Sequence, residues 1–376
     1  MLPESIREAV QNLQNEELAG FRKRGGRAIG FFCSYVPEEV LNTDGLASFR
    51  MRSRGCAGTE AADGCMGIFN CTYTRHCLEQ GLQGGYEFLD GFVFAPSCDH
   101  LRRLYDNWVY FLKPSFVALV DVPHLRDEDA LRWYRDEIAG LWGKLAAAFS
   151  LPDDAEAIWQ GIRKTNRTRR LLRDLDGTRS QDPPGLSGTE MQEISLFAAS
   201  VPKEVADPVL EGVLDRLRAH PARPSSHRAR VLLVGSHLDD VGFTEVVEQT
   251  GALVVKDAYC CGLRDQLDPV DESCGGGDPF LAIARRYLDR LSCPRMYDDY
   301  PRRLERIVRM AEEASVDGVI LEQMKFCETW GIDGNVLAQD LRARGFPILR
   351  LEREYQPGGV GQLRTRVQAF LESMGK

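Results

Sequence analysis

The stretch Phe92-Val93-Phe94-Ala95-Pro96-Ser97-Cys98-Asp99 runs straight into His100 to Leu112. Four apolar residues read as a short buried strand. Pro, Ser and Asp then open a helix, with Ser97 or Asp99 as its N-cap. Working outward, Phe116 to Val122 reads as the next strand and Ala130 to Ala148 as the next helix. Upstream, Ala28 to Cys33 reads as a strand, and Pro37 followed by Glu38 and Glu39 signals a helix start. Leu2 to Lys23 has helical apolar spacing at Ile6, Val10, Leu13 and Leu18. This alternation of strand and helix predicts βαβ units and a parallel sheet.

The same grammar returns after residue 226. Val231 to Ser236, Leu253 to Asp257, Gly318 to Leu321 and Ile348 to Glu352 read as strands. Thr244 to Thr250, Leu281 to Leu291, Arg302 to Ala314 and Gln362 to Ser373 read as helices. Between the halves, Ala155 to Leu175 and Ser195 to Ala219 read as helices, and Pro221 to Ser226 as a linker. The expected fold class is α/β: two doubly wound parallel-sheet domains, 1–150 and 226–376, joined by a helical segment, 151–225.

Composition narrows the class of function. The 376 residues are 43 % hydrophobic and 27 % charged, an ordinary globular balance. The net charge of −9 argues against nucleic acid as the main partner. The N-terminus has no basic region followed by an apolar run, and no apolar stretch approaches the roughly 20 residues that cross a bilayer. The expectation is a cytoplasmic protein with no membrane and no nucleic-acid partner. There is no G-x-x-x-x-G-K-[ST], and no G-x-G-x-x-G follows a strand, so the Walker and Rossmann nucleotide signatures are both missing. Pro357-Gly358-Gly359-Val360-Gly361 precedes the last helix and reads as a tight turn.

Eleven cysteines then need a reason. Cytosolic chains rarely form disulfides, so core packing, metal or redox chemistry are the alternatives. Cys98, Cys260 and Cys327 each follow a strand, and Cys33 ends one. Ligands of open α/β sheets bind beyond those strand ends, and a helix N-terminus there favours the thiolate. No C-x₂-C pair marks a local zinc site, and the bacterial ferredoxin spacing is missing, so a cluster here would draw ligands from distant loops.

Several motifs resemble those of one family. Phe32-Cys33-Ser34-Tyr35-Val36-Pro37-Glu38-Glu39, Ser97-Cys98-Asp99-His100-Leu101-Arg102-Arg103, Tyr259-Cys260-Cys261-Gly262, Lys325-Phe326-Cys327 and Gly361-Gln362-Leu363-Arg364 are similar to signatures of the 2-hydroxyacyl-CoA dehydratase and benzoyl-CoA reductase family. The resemblance implies paired subunits, each with two doubly wound domains. It also implies a [4Fe-4S] cluster on Cys71, Cys98 and Cys327, with a non-protein ligand on the fourth iron. Such an open iron binds a thioester carbonyl and passes it one electron. A homologous partner subunit, an ATP-hydrolysing iron–sulfur activator protein and a CoA thioester substrate are implied with it. Ser34 and Glu38, following Cys33, are the candidate catalytic residues.

A second branch of the same family carries an [8Fe-9S] double-cubane cluster, in homodimers that reduce small molecules. Its cysteines fall near Cys33, Cys71, Cys98, Cys260, Cys293 and Cys327, all present here. Under that alternative, Cys33, Cys260 and Cys293 are cofactor ligands too. A third alternative is a scaffold subunit without catalysis. His76 and His100 are read as helix-surface residues or as proton donors near a cluster, and the basic run Arg163 to Arg173 as a solvated helix face. Cys56, Cys65, Cys77, Cys261 and Cys274 have no assigned role.

Overall fold

A computed structural model describes residues 2–219, 226–355 and 358–376. Residues 221–225 of the expected linker Pro221 to Ser226, and Pro357 of the glycine-rich turn, lie outside the described residues.

Two sheets organise the chain. The first contains β1 (Arg27–Phe31), β2 (Leu46–Arg50), β3 (Gly91–Phe94) and β4 (Val117–Leu119), in the order β2-β1-β3-β4. The second contains β5 (Ala229–Gly235), β6 (Ala252–Ala258), β7 (Gly318–Met324) and β8 (Ile348–Arg353), in the order β6-β5-β7-β8. Every pairing is parallel. The two orders are the same permutation. Each puts a topological switch point, the usual ligand crevice, between its first and third strands. The α/β class expected above is the one found.

Several local expectations change. Leu46–Arg50 reads as no strand in sequence, because Ser48 and Arg50 interrupt its apolar residues, yet all five residues are buried. The expected helix after Pro37 is a single 3₁₀ turn, Glu38–Leu41. Residue 98, not Ser97 or Asp99, occupies the N-cap of the helix Asp99–Asn107, which ends in a π turn, Trp108–Leu112. The first helical run breaks into Glu4–Gln11 and Glu16–Lys23, where Asn15 accepts from the amide of Leu18 as a cap. The expected helix from Ser195 is two, Gly188–Ala198 and Lys203–Ala219, and a Ser187–Glu190 capping box starts the first.

The helix Ala155–Arg179 runs through the middle of the chain. It is not uniformly solvated. Arg169 is buried and ion-paired with Glu39, which corrects the reading of the basic run. The second half also reaches across to the first. Helix Pro279–Asp289 packs on helix Glu128–Phe149, and Ile283, Ala284, Tyr287 and Met296 belong to the same core cluster as Phe31, Phe49 and Trp108. The Tyr287 hydroxyl accepts from the amide of Glu38 at 2.9 Å and donates to Glu39 at 3.1 Å. Arg290 donates to the carbonyl of Ser34 at 2.6 Å. These bonds fix the loop after β1 to the helix Pro279–Asp289 and the residue that follows it. Among the described residues, no helix is long and apolar enough to cross a membrane.

Candidate functional site

Loops from the carboxyl ends of both sheets enclose one mostly apolar cavity of about 90 Å³. Cys33, Cys71, Cys98, Cys260, Cys293 and Cys327 all line it, with Ser34, Arg50, His100, His237 and Trp330. Cys33 follows β1, Cys98 follows β3, Cys260 follows β6 and Cys327 follows β7. Cys71 and Cys293 come from connecting loops. The fold thus gathers residues that lie far apart along the chain, three of the thiols from each half.

Three of the six are placed alike. Cys71 is the N-cap of helix Thr72–Leu82, Cys98 of Asp99–Asn107 and Cys327 of Glu328–Ala343. Each therefore stands at the positive end of a helix dipole, where a thiolate is stabilised. Burial opposes this. It raises the Cys71 thiol to about 11, while the amides of Tyr73 and Thr74 pull the other way. Burial also raises Cys98 and Cys327. The neighbouring thiols add to it: Cys71, Cys33 and Cys293 act on Cys98, and Cys71 and Cys98 act on Cys327. These sulfurs are close enough to oppose one another's ionisation, which an inserted cationic centre would reverse.

The other three thiols sit on the walls. Cys33 accepts from the amide of Tyr35 at 3.4 Å. Burial raises Cys260 to about 12 against the pull of Arg264, whose guanidinium donates to its sulfur and stacks 5.4 Å from the ring of Trp330. The amide of Cys293 donates to the Tyr35 hydroxyl at 3.3 Å.

Of the two expected catalytic residues, Ser34 lines the cavity and Glu38 does not. The Glu38 carboxylate is buried, accepts from Ser48 at 3.1 Å and pairs with Lys203 at 3.0 Å. Burial raises it, but Lys203 and Arg169 outweigh that and hold it down at about 2. Its structural role is to anchor the turn behind Cys33. His100 lines the cavity. Its Nδ1 meets Asn70 Oδ1 at 3.1 Å, which ties the residue before Cys71 to the helix that Cys98 caps. His76 does not line the cavity and is buried against Thr72 O at 2.7 Å.

Sequence reading missed His237. It follows β5 at the offset at which Cys33 follows β1, and that offset was the available signal. Its ring stacks 3.7 Å from that of Tyr73, with Nδ1 3.2 Å from Cys261 and Nε2 3.4 Å from Asp239. Burial lowers its pKa, but Cys261 and Asp239 override this and lift it to about 9. Asp239 in turn accepts from Tyr355 at 2.6 Å. Asp239 and Tyr355 line a separate groove of about 640 Å³, so this trio forms the wall between groove and cavity.

The chain is similar in sequence, over nearly its whole length, to several known proteins. The (R)-phenyllactyl-CoA dehydratase beta subunit of Clostridium sporogenes is 23 % identical over 374 residues, which cover 98 % of this chain and 97 % of that protein. The beta subunit of (R)-2-hydroxyglutaryl-CoA dehydratase from Acidaminococcus fermentans is 24 % identical, over 95 % of each chain. A benzoyl-CoA reductase subunit from Thauera aromatica is 22 % identical, over 93 % of this chain and 91 % of that one. The sequence profile of the 2-hydroxyglutaryl-CoA dehydratase D-component matches residues 33–374, a span that begins at the first of the six cavity cysteines and includes the other five. The chain belongs to the 2-hydroxyglutaryl-CoA dehydratase D-component family.

Proposed function

We propose that the chain is the iron–sulfur subunit of a 2-hydroxyacyl-CoA dehydratase or benzoyl-CoA reductase type enzyme, performing low-potential one-electron chemistry on a CoA thioester. The observation that carries this reading is the single cavity lined by six thiols from both halves. Among the described residues, no three His, Cys, Asp or Glu side chains stand close enough to hold one metal ion. Thiolates around one zinc lie about 2.3 Å from a common centre. Thiolates are the usual ligands of iron–sulfur clusters, where they bind different irons instead of one common ion. Cys71, Cys98 and Cys327, on their three helix ends, are the ligands of a [4Fe-4S] cluster in this reading.

When bound, the cluster supplies one electron and an open iron for the thioester oxygen. The chain's own residues do the rest. The helix ends stabilise thiolate charge, and the apolar walls keep water from the site. Ser34, on the cavity wall, is within the space a substrate would occupy. A homologous partner subunit is part of the proposal. Ile68, Phe69 and Ile332, on the segments that carry Cys71 and Cys327, are 56, 74 and 74 % exposed, an apolar surface suited to a protein neighbour. An ATP-hydrolysing iron–sulfur activator protein delivers the electron in this scheme.

The wall thiols favour a second reading. Cys33, Cys260 and Cys293 line the same cavity, as an [8Fe-9S] cluster on six thiolates requires. In that case the chain is a homodimeric reductase of small molecules. Iron and acid-labile sulfide analysis of anaerobically purified protein separates the two. About four irons per chain supports the first reading and about eight the second. Iron-free protein after anaerobic reconstitution overturns both and leaves the scaffold alternative.

A further inference from the structure

Arg50 ends β2 on the wall of the cysteine cavity, is 5 % exposed, and makes no side-chain hydrogen bond or ion pair among the described residues. Its Nε and Nη1 are fully buried with nothing to donate to. Its one contact of note is the ring of Phe31, 5.3 Å from the guanidinium carbon. Several other buried guanidiniums meet carboxylates. Arg169 meets Glu39, Arg179 meets Asp176 and Asp257, and Arg303 meets Asp333. Arg52, two residues along, donates to the carbonyls of Ala9 and Val10 at the end of helix Glu4–Gln11. Arg264 backs the cavity wall, with Nη2 on the lining Cys260 and Nη1 unpartnered.

Burial works against the Arg50 cation, no carboxylate lies within ion-pair distance of it among the described residues, and only the ionised forms of nearby thiols and a tyrosine offset the desolvation. Arginine cannot escape by losing its proton. The groups whose negative charge would act on Arg50 are Cys261, Tyr73 and Cys33, and more weakly Asp265, which is already ion-paired with Arg290. We propose that Arg50, assisted by Arg264, is the built-in countercharge for a net-negative occupant of the cavity, and that it sets the reduction potential of that occupant. The inference rests on the iron–sulfur reading above, in which thiolate ligands make the occupant negative. It assigns Arg50 as a positioning and tuning residue, not as a ligand.

The test compares wild type, Arg50→Met and Arg50→Lys in two forms. In metal-free protein, Arg50→Met raises Tm, because it removes a buried guanidinium that no carboxylate pairs and whose Nε and Nη1 donate to nothing. In the iron-loaded protein, an EPR-monitored redox titration shows the midpoint potential of Arg50→Met moved in the negative direction. The expected shift is a tenfold change in the reduction equilibrium or more, about 59 mV for one electron. Arg50→Lys keeps the charge and stays near wild type in potential. A residue needed only for packing would lower Tm in the metal-free form and leave the potential unmoved, and either result overturns the proposal. A wild-type chain that takes up no iron overturns the functional reading and this tuning role together. With iron bound and the potential unchanged, only the tuning role falls.

Discussion

The two halves share one strand permutation but arm it differently. Two residues past the first strand stands Cys33 in the N-terminal half and His237 in the C-terminal half. The second strand ends in Arg50 in one half, and is followed two residues on by Cys260 in the other. Only past the third strand do both halves offer a cysteine, Cys98 and Cys327, each capping a helix. Topology therefore fixes where a ligand can stand, and residue choice at each strand end decides whether that place holds a thiol, an imidazole or a fixed charge.

Replacing the matched pair should have the largest effect. If the iron–sulfur reading proposed above holds, Cys98→Ser and Cys327→Ser should each lower bound iron by roughly tenfold or more, since in that reading each removes a ligand at a dipole-stabilised position. Iron analysis with circular dichroism on the same samples checks this. Retained iron in either variant would show that the two halves do not contribute equivalently.

Glycines of the first strands give a smaller contrast. A Cβ on Gly235 would stand 2.2 Å from the backbone oxygen of Glu322 in β7, whereas one on Gly30 would stand 2.6 Å from the flexible end of Met51. Gly235→Ala should cost about 3 kcal/mol and Gly30→Ala about 1 kcal/mol, because backbone cannot give way as a side chain does. Urea unfolding of the metal-free proteins measures both, and equal costs would show that Met51 is as rigid as a strand.

The smallest effect is a divided pH response. Glu38 is lowered from its ordinary 4.5 to about 2, so its contribution is present above pH 4.5 and lost as pH falls toward 2. His237 is raised from 6.5 to about 9, so its contribution is full below pH 6.5 and lost as pH rises toward 9. Stability of the metal-free chain should fall on the acid side as Glu38 and Asp239 take up protons and on the alkaline side as His237 loses its own. Glu38→Gln should flatten part of the acid limb alone, whereas His237→Gln should flatten the alkaline limb and, by removing the partner of Asp239, part of the acid limb of the urea midpoint plotted against pH.

Much of the frame was legible before the structure. Seven strands read correctly to within a few residues; all but β8, which Arg350 interrupts, carry a run of apolar residues of the kind that buried parallel strands need. β2 did not, because its burial depends on neighbours: Arg50 is tolerated inside only by virtue of a cavity that no local pattern announces. The same holds for helix boundaries. Cys98 as an N-cap is invisible to capping preferences, which rank Ser and Asp above it. The convergence of the six thiols was anticipated only through their strand-end positions and the family motifs, while Glu38 followed its motif and turned out to serve the scaffold. His237 went unread because its stacking partner Tyr73 comes from the opposite half, and Arg50 because no local pattern marks a buried cation without a carboxylate partner.

The cavity walls come from loops on both sides of the long helix Ala155–Arg179. This orders events during synthesis. A nascent chain that has emerged through Cys98 carries three of the six thiols but no chamber to hold them, because the opposite wall awaits β6 and β7. Assembly of the site is thus a late and all-or-none event in the life of each molecule. A message truncated anywhere before codon 327 yields a chain that lacks at least one of the six thiols lining the cavity.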